Sequence, residues 1–442
     1  MVLHGPYHQR LSSLALLLWR SGSKKVATVA DTEDPSKILE NDPPPGLPPG
    51  VNPWRGRIVL LSLVHTVGTA CYLSIMAMGP IIREDLDITA AQFGFFMSAV
   101  FGAQLISAIP SGVITDRLGV GWTLFGAMLT MFAGTLLFSV AEDFQAALIA
   151  AFLIGLGYSF VNPATAKGVV RWFPAQWRGT AMGLKQLGVP LGGVIGAGGG
   201  ALAAYMDWQN VLWIAAGMTF VGAILWLPLT RKPTWGVGGM RAIFRDLKIV
   251  LTNRNMNVIC ASCILLNTGQ SSLFSYTALF LRDAAQVSQP VAAMGVAFAQ
   301  GASAFGRVGF SYVSDTLFEG RRKGVVAGVV TVGVLACCVA YFVNPSWPHW
   351  GLMLLVFVMG GTIASYAALI LAMTAESVPE ELVGSAIGFN GVAWSIGGVV
   401  GPPLFGKILD MTGNQYGMSW LAVAALMLVG AIILLVFAKE KT

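Results

Sequence analysis

The sequence predicts an all-α membrane protein: twelve transmembrane helices in two pseudo-symmetric six-helix bundles, with both termini cytoplasmic. Three observations carry that reading. Of the 442 residues, 55% are hydrophobic and only 11% are charged, whereas soluble domains carry roughly 25% charged residues. Uncharged apolar stretches of roughly 20 residues, the length that crosses a bilayer, recur from about Trp54 onward. The two halves of the chain also repeat one another in sequence.

Taken in order, residues 1–55 are polar and contain the run Asp42 to Pro53 (DPPPGLPPGVNP), which cannot be helical and reads as a disordered cytoplasmic leader. Leu11 to Trp19 is apolar but too short to span. The first bundle, residues 56–230, holds spans at about Arg57 to Pro80, Ala91 to Thr115, Trp122 to Val140, Phe144 to Ala166, Gly179 to Tyr205 and Asn210 to Leu229. Residues 231–255 form a cytoplasmic inter-bundle loop. It is basic, with Asp246 as its one acid, and a short amphipathic helix near Met240 to Leu251 suits the inner leaflet. The second bundle, residues 256–442, holds spans at about Met256 to Leu281, Val291 to Ser314, Gly324 to Val343, His349 to Met373, Gly384 to Leu409 and Tyr416 to Ala438.

Net charge is +6, but its placement matters more than its sum. With the N-terminus inside, seventeen basic residues fall in cytoplasmic segments, against Arg83, Arg282 and Lys407 outside. The positive-inside rule therefore puts both ends in the cytoplasm. A nucleic-acid partner is not expected. Cys71, Cys260, Cys263, Cys337 and Cys338 all lie in predicted spans and read as small packing residues; no cofactor or metal is expected. No clustered His, Asp or Ser motif suggests an enzyme.

The repeat is explicit. Residues 173–196 (FPAQWRGTAMGLKQLGVPLGGVIG) align with residues 378–401 (VPEELVGSAIGFNGVAWSIGGVVG) at a constant offset of 205. Pro174 matches Pro379, and Gly179, Gly183, Gly192, Gly193 and Gly196 match Gly384, Gly388, Gly397, Gly398 and Gly401. The loop around Asp116 (SGVITDRLG) likewise corresponds to that around Asp315 (SYVSDTLFEGRRK).

Gly112-x-x-x-Asp116-Arg117-x-Gly119 resembles the loop motif that the major facilitator superfamily carries between its second and third helices, and Asp315 with Arg321 and Arg322 resembles its second-half echo. The usual basic pair is absent at Val120 and Gly121. The run GLKQLGVPLGG in helix five resembles bacterial permeases of the organic-anion, cyanate and nitrate/nitrite branches. The resemblance covers the chain from about Arg57. It implies alternating access around a central site, with helices one, four, seven and ten lining the cavity. Helix five would pack on eight, and two on eleven. Gly183, Gly188, Gly192 and Gly196 on helix five, with Gly295, Gly301, Gly306 and Gly309 on helix eight, are expected to form the surfaces that let five and eight slide.

Ionisable residues inside spans are costly and point to function. Two basic residues remain once leader and loops are accounted for: Lys185, about 10 Å into helix five, and Arg307, about 12 Å into helix eight. Every acid falls in the leader, a loop or a helix end. Two buried cations lacking a carboxylate call for an anionic ligand, with Arg307 as a fork and Lys185 as a point charge; snorkelling of Lys185 and a gating role for Arg307 are the competing readings. His65, Tyr72, Tyr158, Asn162, Asn267, Gln270, Tyr276 and Tyr366 are cavity candidates, with Gln186 and Asn390 on helices five and eleven; helix-helix glue is the plainer reading of each. His65 is the candidate coupling group. Asp116, Arg117, Asp315, Arg321 and Arg322 are assigned to the cytoplasmic gate.

The function these features imply is secondary active transport of a small organic anion, a carboxylate, across the inner membrane by alternating access, through proton-coupled symport or anion exchange. Multidrug/proton antiport and a non-transporting sensor are the alternatives. The expected partners are the anionic substrate, protons and the lipid bilayer, and the expected state is a monomer.

Overall fold

A computed structural model describes Asn52, Trp54 and residues 56–174, 177–229, 251–379 and 382–440. The predicted leader and the amphipathic helix of the inter-bundle loop lie outside the described residues.

Among the described residues every regular element is helical. α1 (Arg57–Ala77) breaks at Met78 and resumes as α2 (Gly79–Asp85), with Pro80 in its first turn, where the missing N–H costs nothing. α3 (Ala90–Ser139) opens on a capping box, Thr89 and Gln92 each bonding the other's backbone N–H. Its 50 residues would measure about 75 Å if straight, more than twice the hydrocarbon thickness of roughly 30 Å. The reversal falls at Gly119, whose φ of 76° suits a residue without Cβ. Phe96 and Phe138 accordingly meet edge to face, centroids 5.2 Å apart, although 42 residues separate them in the chain. α3 thus contains two predicted spans.

α4 (Phe144–Ser159), capped by Asp143, gives way at Phe160 to α5 (Val161–Trp172). α6 (Arg178–Gln186) and α7 (Gly188–Leu202) are separated by Leu187, and α8 (Trp208–Ile224) follows. The second half comprises α9 (Arg254–Ala284), α10 (Gln289–Thr316), α11 (Arg322–Ala340), α12 (His349–Ile363), α13 (Ala367–Glu376), α14 (Val383–Met411) and α15 (Tyr416–Phe437). The α4/α5 break at 160 and the α12/α13 break at 364–366 are related by the same offset of 205 as the sequence repeat.

Nine helical stretches among the described residues are long and apolar enough to cross a membrane. α6 with α7, and α10, are not among them. These are the elements that carry Lys185 and Arg307, so the deficit in apolarity coincides with the buried charge.

Within the first half α1 packs on α7, and α3 on α4 and α8; within the second, α9 packs on α14 and α15, and α10 on α12. Among the described residues the most extensive packing between the halves is that of α7 with α10 and of α3 with α14. They are the pairs implied by the resemblance.

The glycine contacts differ from expectation. A Cβ on Gly192 would strike the carbonyl oxygen of Thr66 on α1, and one on its repeat counterpart Gly397 would strike that of Ile264 on α9. Gly188 and Gly196 also face α1, while Gly295 and Gly306 face Leu281 and Ser365 of their own half. Gly183, Gly301 and Gly309 meet nothing within 4 Å. Most of the stripe thus cements each half internally. The next register position faces outward: Gly193 lies beneath Gln300 of α10, and Gly398 beneath Phe101 of α3. A helix face is fixed by its neighbours in space, and the glycine count alone could not choose between them.

Candidate functional site

Lys185 lies on the nine-residue helix α6, with 2% of its surface exposed. Its Nζ donates to Asn162 Oδ1 and Thr165 Oγ1, both at 3.0 Å. Asn162 and Thr165 are three residues apart and share one face of α5, the helix that begins after the Phe160 break. Gln186 donates to the same Asn162 oxygen at 3.4 Å. Thr165 Oγ1 gives its own proton to the backbone, 2.6 Å from the Val161 carbonyl, and lies 3.0 Å from His65 Nε2. With its proton spent there, the hydroxyl accepts from Lys185 and from His65 Nε2–H. His65 Nδ1 is then a buried acceptor without a partner among the described residues.

From His65 the polar chain continues across the interior. Its ring meets that of Tyr158 at 6.4 Å, Tyr158 meets Tyr72 at 5.4 Å, and the Tyr158 hydroxyl lies 3.1 Å from Thr69 Oγ1. Arg307, partly buried on α10, is within electrostatic reach of Tyr72 and Tyr158 from the first half and Tyr366 from the second. Its Nε donates to the Ala364 carbonyl at 3.3 Å, a group exposed by the α12/α13 break. The terminal guanidinium nitrogens make no hydrogen bond among the described residues, and neither Arg307 nor Lys185 has a carboxylate within salt-bridge distance there. A planar pair of unspent donors matches a carboxylate.

Besides Arg307, the second half supplies unpartnered polar atoms. Tyr366 OH, Gln270 Oε1, Asn267 Oδ1 and Asn390 Nδ2 are buried without a hydrogen bond among the described residues. Asn267 Nδ2 donates to the Trp394 carbonyl at 2.6 Å, and Asn390 Oδ1 accepts weakly from the Cys263 thiol at 3.9 Å. Buried polar groups are ordinarily paired. Tyr276 is placed elsewhere. Its hydroxyl reaches the carbonyl oxygens of Ala90 (2.7 Å) and Pro402 (3.0 Å), and its ring stacks on Phe405 at 4.4 Å, so it pins α3 to α14 near one end of the molecule.

That end is sewn shut across the two halves. Arg83 meets Asp283 at 3.5 Å, both Asp410 oxygens accept the first N–H groups of α3 at 2.9–3.0 Å, and Gln289 Nε2 donates to the carbonyls of Ala77 and Gly200. At the opposite end every ion pair among the described residues stays within its own half. Asp116 binds Lys167 at 2.8 Å, and Arg322 binds both Asp315 (3.1 Å) and Glu376 (2.8 Å). Arg117 and Arg321 are exposed there. Among the described residues no hydrogen bond joins the halves at this end.

The sequence reading did not include Thr165, Lys167, Gln289, Glu376, Asp283 or Asp410 among the functional residues. Asn162 and Thr165 at i, i+3 was the legible signal for the first; the others act through partners distant in the chain.

The Major Facilitator Superfamily profile matches residues 59–319 and 311–442. The chain is 26% identical over 388 residues to the hexuronate transporter of Bacillus subtilis (strain 168), covering 83% of this chain and 92% of that one. It is 25% identical over 421 residues to a probable galactarate/D-glucarate transporter of Escherichia coli (strain K12), covering 86% and 92%. It is 27% identical over 434 residues to an agnestins efflux protein of Paecilomyces divaricatus, covering 92% and 94%. Its fold superposes with a TM-score of 0.74 on the inward-facing, unoccupied crystal structure of a bacterial homologue of the human lysosomal transporter Spinster, at 16% identity, covering 89% of this chain and all of that one. An all-helical chain built of repeating halves, joined along α3/α14 and α7/α10 around a buried cationic strip, is a multi-pass membrane transporter and not an enzyme: it belongs to the major facilitator superfamily.

Proposed function

We propose that this chain is a secondary transporter that moves a small organic anion bearing a carboxylate across the inner membrane by alternating access. The observation that carries the reading is the pair of interior cations, Lys185 and Arg307, with no carboxylate to neutralise either among the described residues. An uncompensated buried charge is expensive, and an anionic cargo removes that cost at the moment it binds. Arg307 offers its terminal nitrogens as a fork, Lys185 a point charge, and Tyr366, Asn390, Gln270 and Asn267 offer hydrogen-bonding atoms to the rest of the molecule. Relatives that carry hexuronates and galactarate or glucarate have cargo of this chemistry, a carboxylate beside hydroxyl groups.

The reading includes twelve spans. The nine apolar stretches become twelve when α3 counts as two and α6–α7 and α10 are added. Residues 56–230 and 256–442 are the two bundles, with the basic ends of the helices in the cytoplasm. In that orientation the Arg83/Asp283 end is external and closed, and the conformation is open to the inside.

Thermal unfolding in detergent tests the cargo class, since a ligand that binds the native state raises its melting temperature. D-galacturonate, D-glucarate and 3-phenylpropionate are compared with tetraphenylphosphonium. The expected result is stabilisation by at least one carboxylate, lost in Arg307→Ala. Stabilisation by the lipophilic cation alone would overturn the proposal in favour of multidrug antiport.

A further inference from the structure

We infer that Lys185 is the proton carrier of the transport cycle: its amine gains a proton as the carboxylate binds and gives it up as the carboxylate leaves, so that one proton travels with each cargo carboxylate. The inference rests on the anion-binding reading above and adds the coupling ion and its seat.

The argument is one of elimination by geometry. Coupling to protons needs an interior group that exists in two charge states and touches the cargo site. Among the described residues no carboxylate is available there, and a guanidinium such as Arg307 does not give up its proton in a protein. Apart from the tyrosines, whose phenols stay protonated near neutral pH, two titratable groups remain in the strip, His65 and Lys185, and both direct a donor at the same Thr165 oxygen. Because Thr165 spends its proton on Val161, it serves Lys185 equally well as amine or ammonium, as does Asn162 Oδ1. The amine therefore changes charge without any partner having to move. For His65 to gain a proton, Nδ1 would need an acceptor, and no group among the described residues supplies one.

The surroundings of Lys185 hold no other competitor. The elements packed against α6 are α1, α5 and α7. α7 has no titratable residue; on α1 the facing group is His65, and Arg57 stacks on Trp172 at the basic end. On α5, Lys167 is bound to Asp116, and Arg171 lies at its last turn. Within α6 itself, Arg178 is bound to backbone carbonyls of Val170 and Phe173. In the empty site a charged Lys185 would join Arg307 as a second unbalanced cation; shedding its proton leaves a neutral amine with both hydrogen bonds kept. When a carboxylate docks on Arg307, the protonated amine becomes favourable, and by linkage each ligand strengthens the other's binding equally. For a monocarboxylate the step is electroneutral: one anion and one proton bind from one side and are released to the other.

The test uses full-length protein in proteoliposomes with pyranine inside and D-galacturonate, or the carboxylate most stabilising in the panel above, as cargo. The quantity read is protons moved per carboxylate, whatever the rate. Wild type is expected to give a ratio of one proton per cargo molecule. Lys185→Arg, whose side chain cannot deprotonate, is expected to move residual cargo at a ratio of zero, and His65→Asn to retain the wild-type ratio. A wild-type ratio of zero, a coupled Lys185→Arg, or loss of coupling in His65→Asn alone overturns the inference. Should Lys185→Arg move no cargo, calorimetry of wild-type binding in two buffers of different ionisation enthalpy decides: proton uptake on binding supports the inference, and none overturns it. If wild type binds no carboxylate at all, the cargo proposal itself has failed, which is a separate outcome.

Discussion

Thr165 shows how much of the interior hangs on one hydroxyl. It donates to Val161 and accepts from Lys185 and His65, so replacing it with valine removes the shared acceptor while nearly keeping the shape. His65 Nε2–H would then lack a partner and Lys185 would keep only Asn162, and a buried donor left without a partner costs about 1–3 kcal/mol. Thr165→Val is expected to lower the melting temperature and to reduce D-galacturonate counterflow at least tenfold, whereas Thr135→Val, which loses only a bond to its own helix at Met131, should do neither. Counterflow equal to wild type would show that the cluster is not part of the cargo path. Lys185 and Arg307 were legible in the sequence because a charge inside an apolar run stands out against its surroundings. Thr165 was not, because threonine is common in spanning helices, where its hydroxyl usually bonds its own backbone, as Thr115, Thr123 and Thr135 do here. Tyr276 was misplaced for a related reason. The sequence shows an aromatic with a polar tip, but not which of two ends of the helix pair that tip will meet.

At the scale of elements, the offset of 205 made the pseudo-symmetry readable, and the structure assigns its positions to partners. Gly192 and Gly397 allow the backbones of α1 and α9 to approach α7 and α14, and the obstructing atom in each case is a carbonyl oxygen that cannot swing aside. Gly192→Ala should therefore cost about 1–3 kcal/mol, the usual range for overpacking, and lower the melting temperature by several degrees. Gly198→Ala, on the same helix with nothing within 4 Å, should be neutral or slightly stabilising through helix propensity. If both behave alike in a thermal melt, close approach is not what selects glycine at 192. Helix breaks were half legible. Pro163, within a turn of the α4/α5 break at Phe160, is a residue that interrupts a helical hydrogen-bond ladder, but the break at 364–366 carries no proline, and it presents the Ala364 carbonyl that holds Arg307 Nε. Such a break reflects what the neighbouring helix requires, and a local sequence has no record of it.

The state of the whole molecule was the least legible feature, for a physical reason: under the alternating access proposed above, the two open forms lie within a few kcal/mol of one another, so one sequence has to satisfy both. The order of the apolar stretches and their repetition are common to both forms and could be read from hydropathy and repeats, and the pairing of halves was implied by the family resemblance. Which end is shut depends on a handful of contacts at the Arg83/Asp283 end, and their magnitudes are unequal. The Arg83–Asp283 pair is partly exposed and long, at 3.5 Å, and pairs of that kind contribute about 0–1 kcal/mol. Asp410 instead receives two backbone N–H groups at the start of α3, a charge-assisted cap in the favourable field of a helix N-terminus, and such caps contribute about 1–2 kcal/mol. Removing Asp410 should thus shift the balance toward the form open at this end by roughly 5- to 30-fold, and removing Arg83 by no more than about fivefold, using 1.4 kcal/mol per factor of ten. Spin labels at Asp87 and Gln286, residues with left-handed backbone at the tips following α2 and α9, provide the readout by pulsed dipolar spectroscopy. Asp410→Ala should populate a longer distance than the parent protein does, and Arg83→Ala should change the distribution little. If Arg83→Ala opens this end more than Asp410→Ala, the ion pair is the dominant tie and the helix cap is incidental.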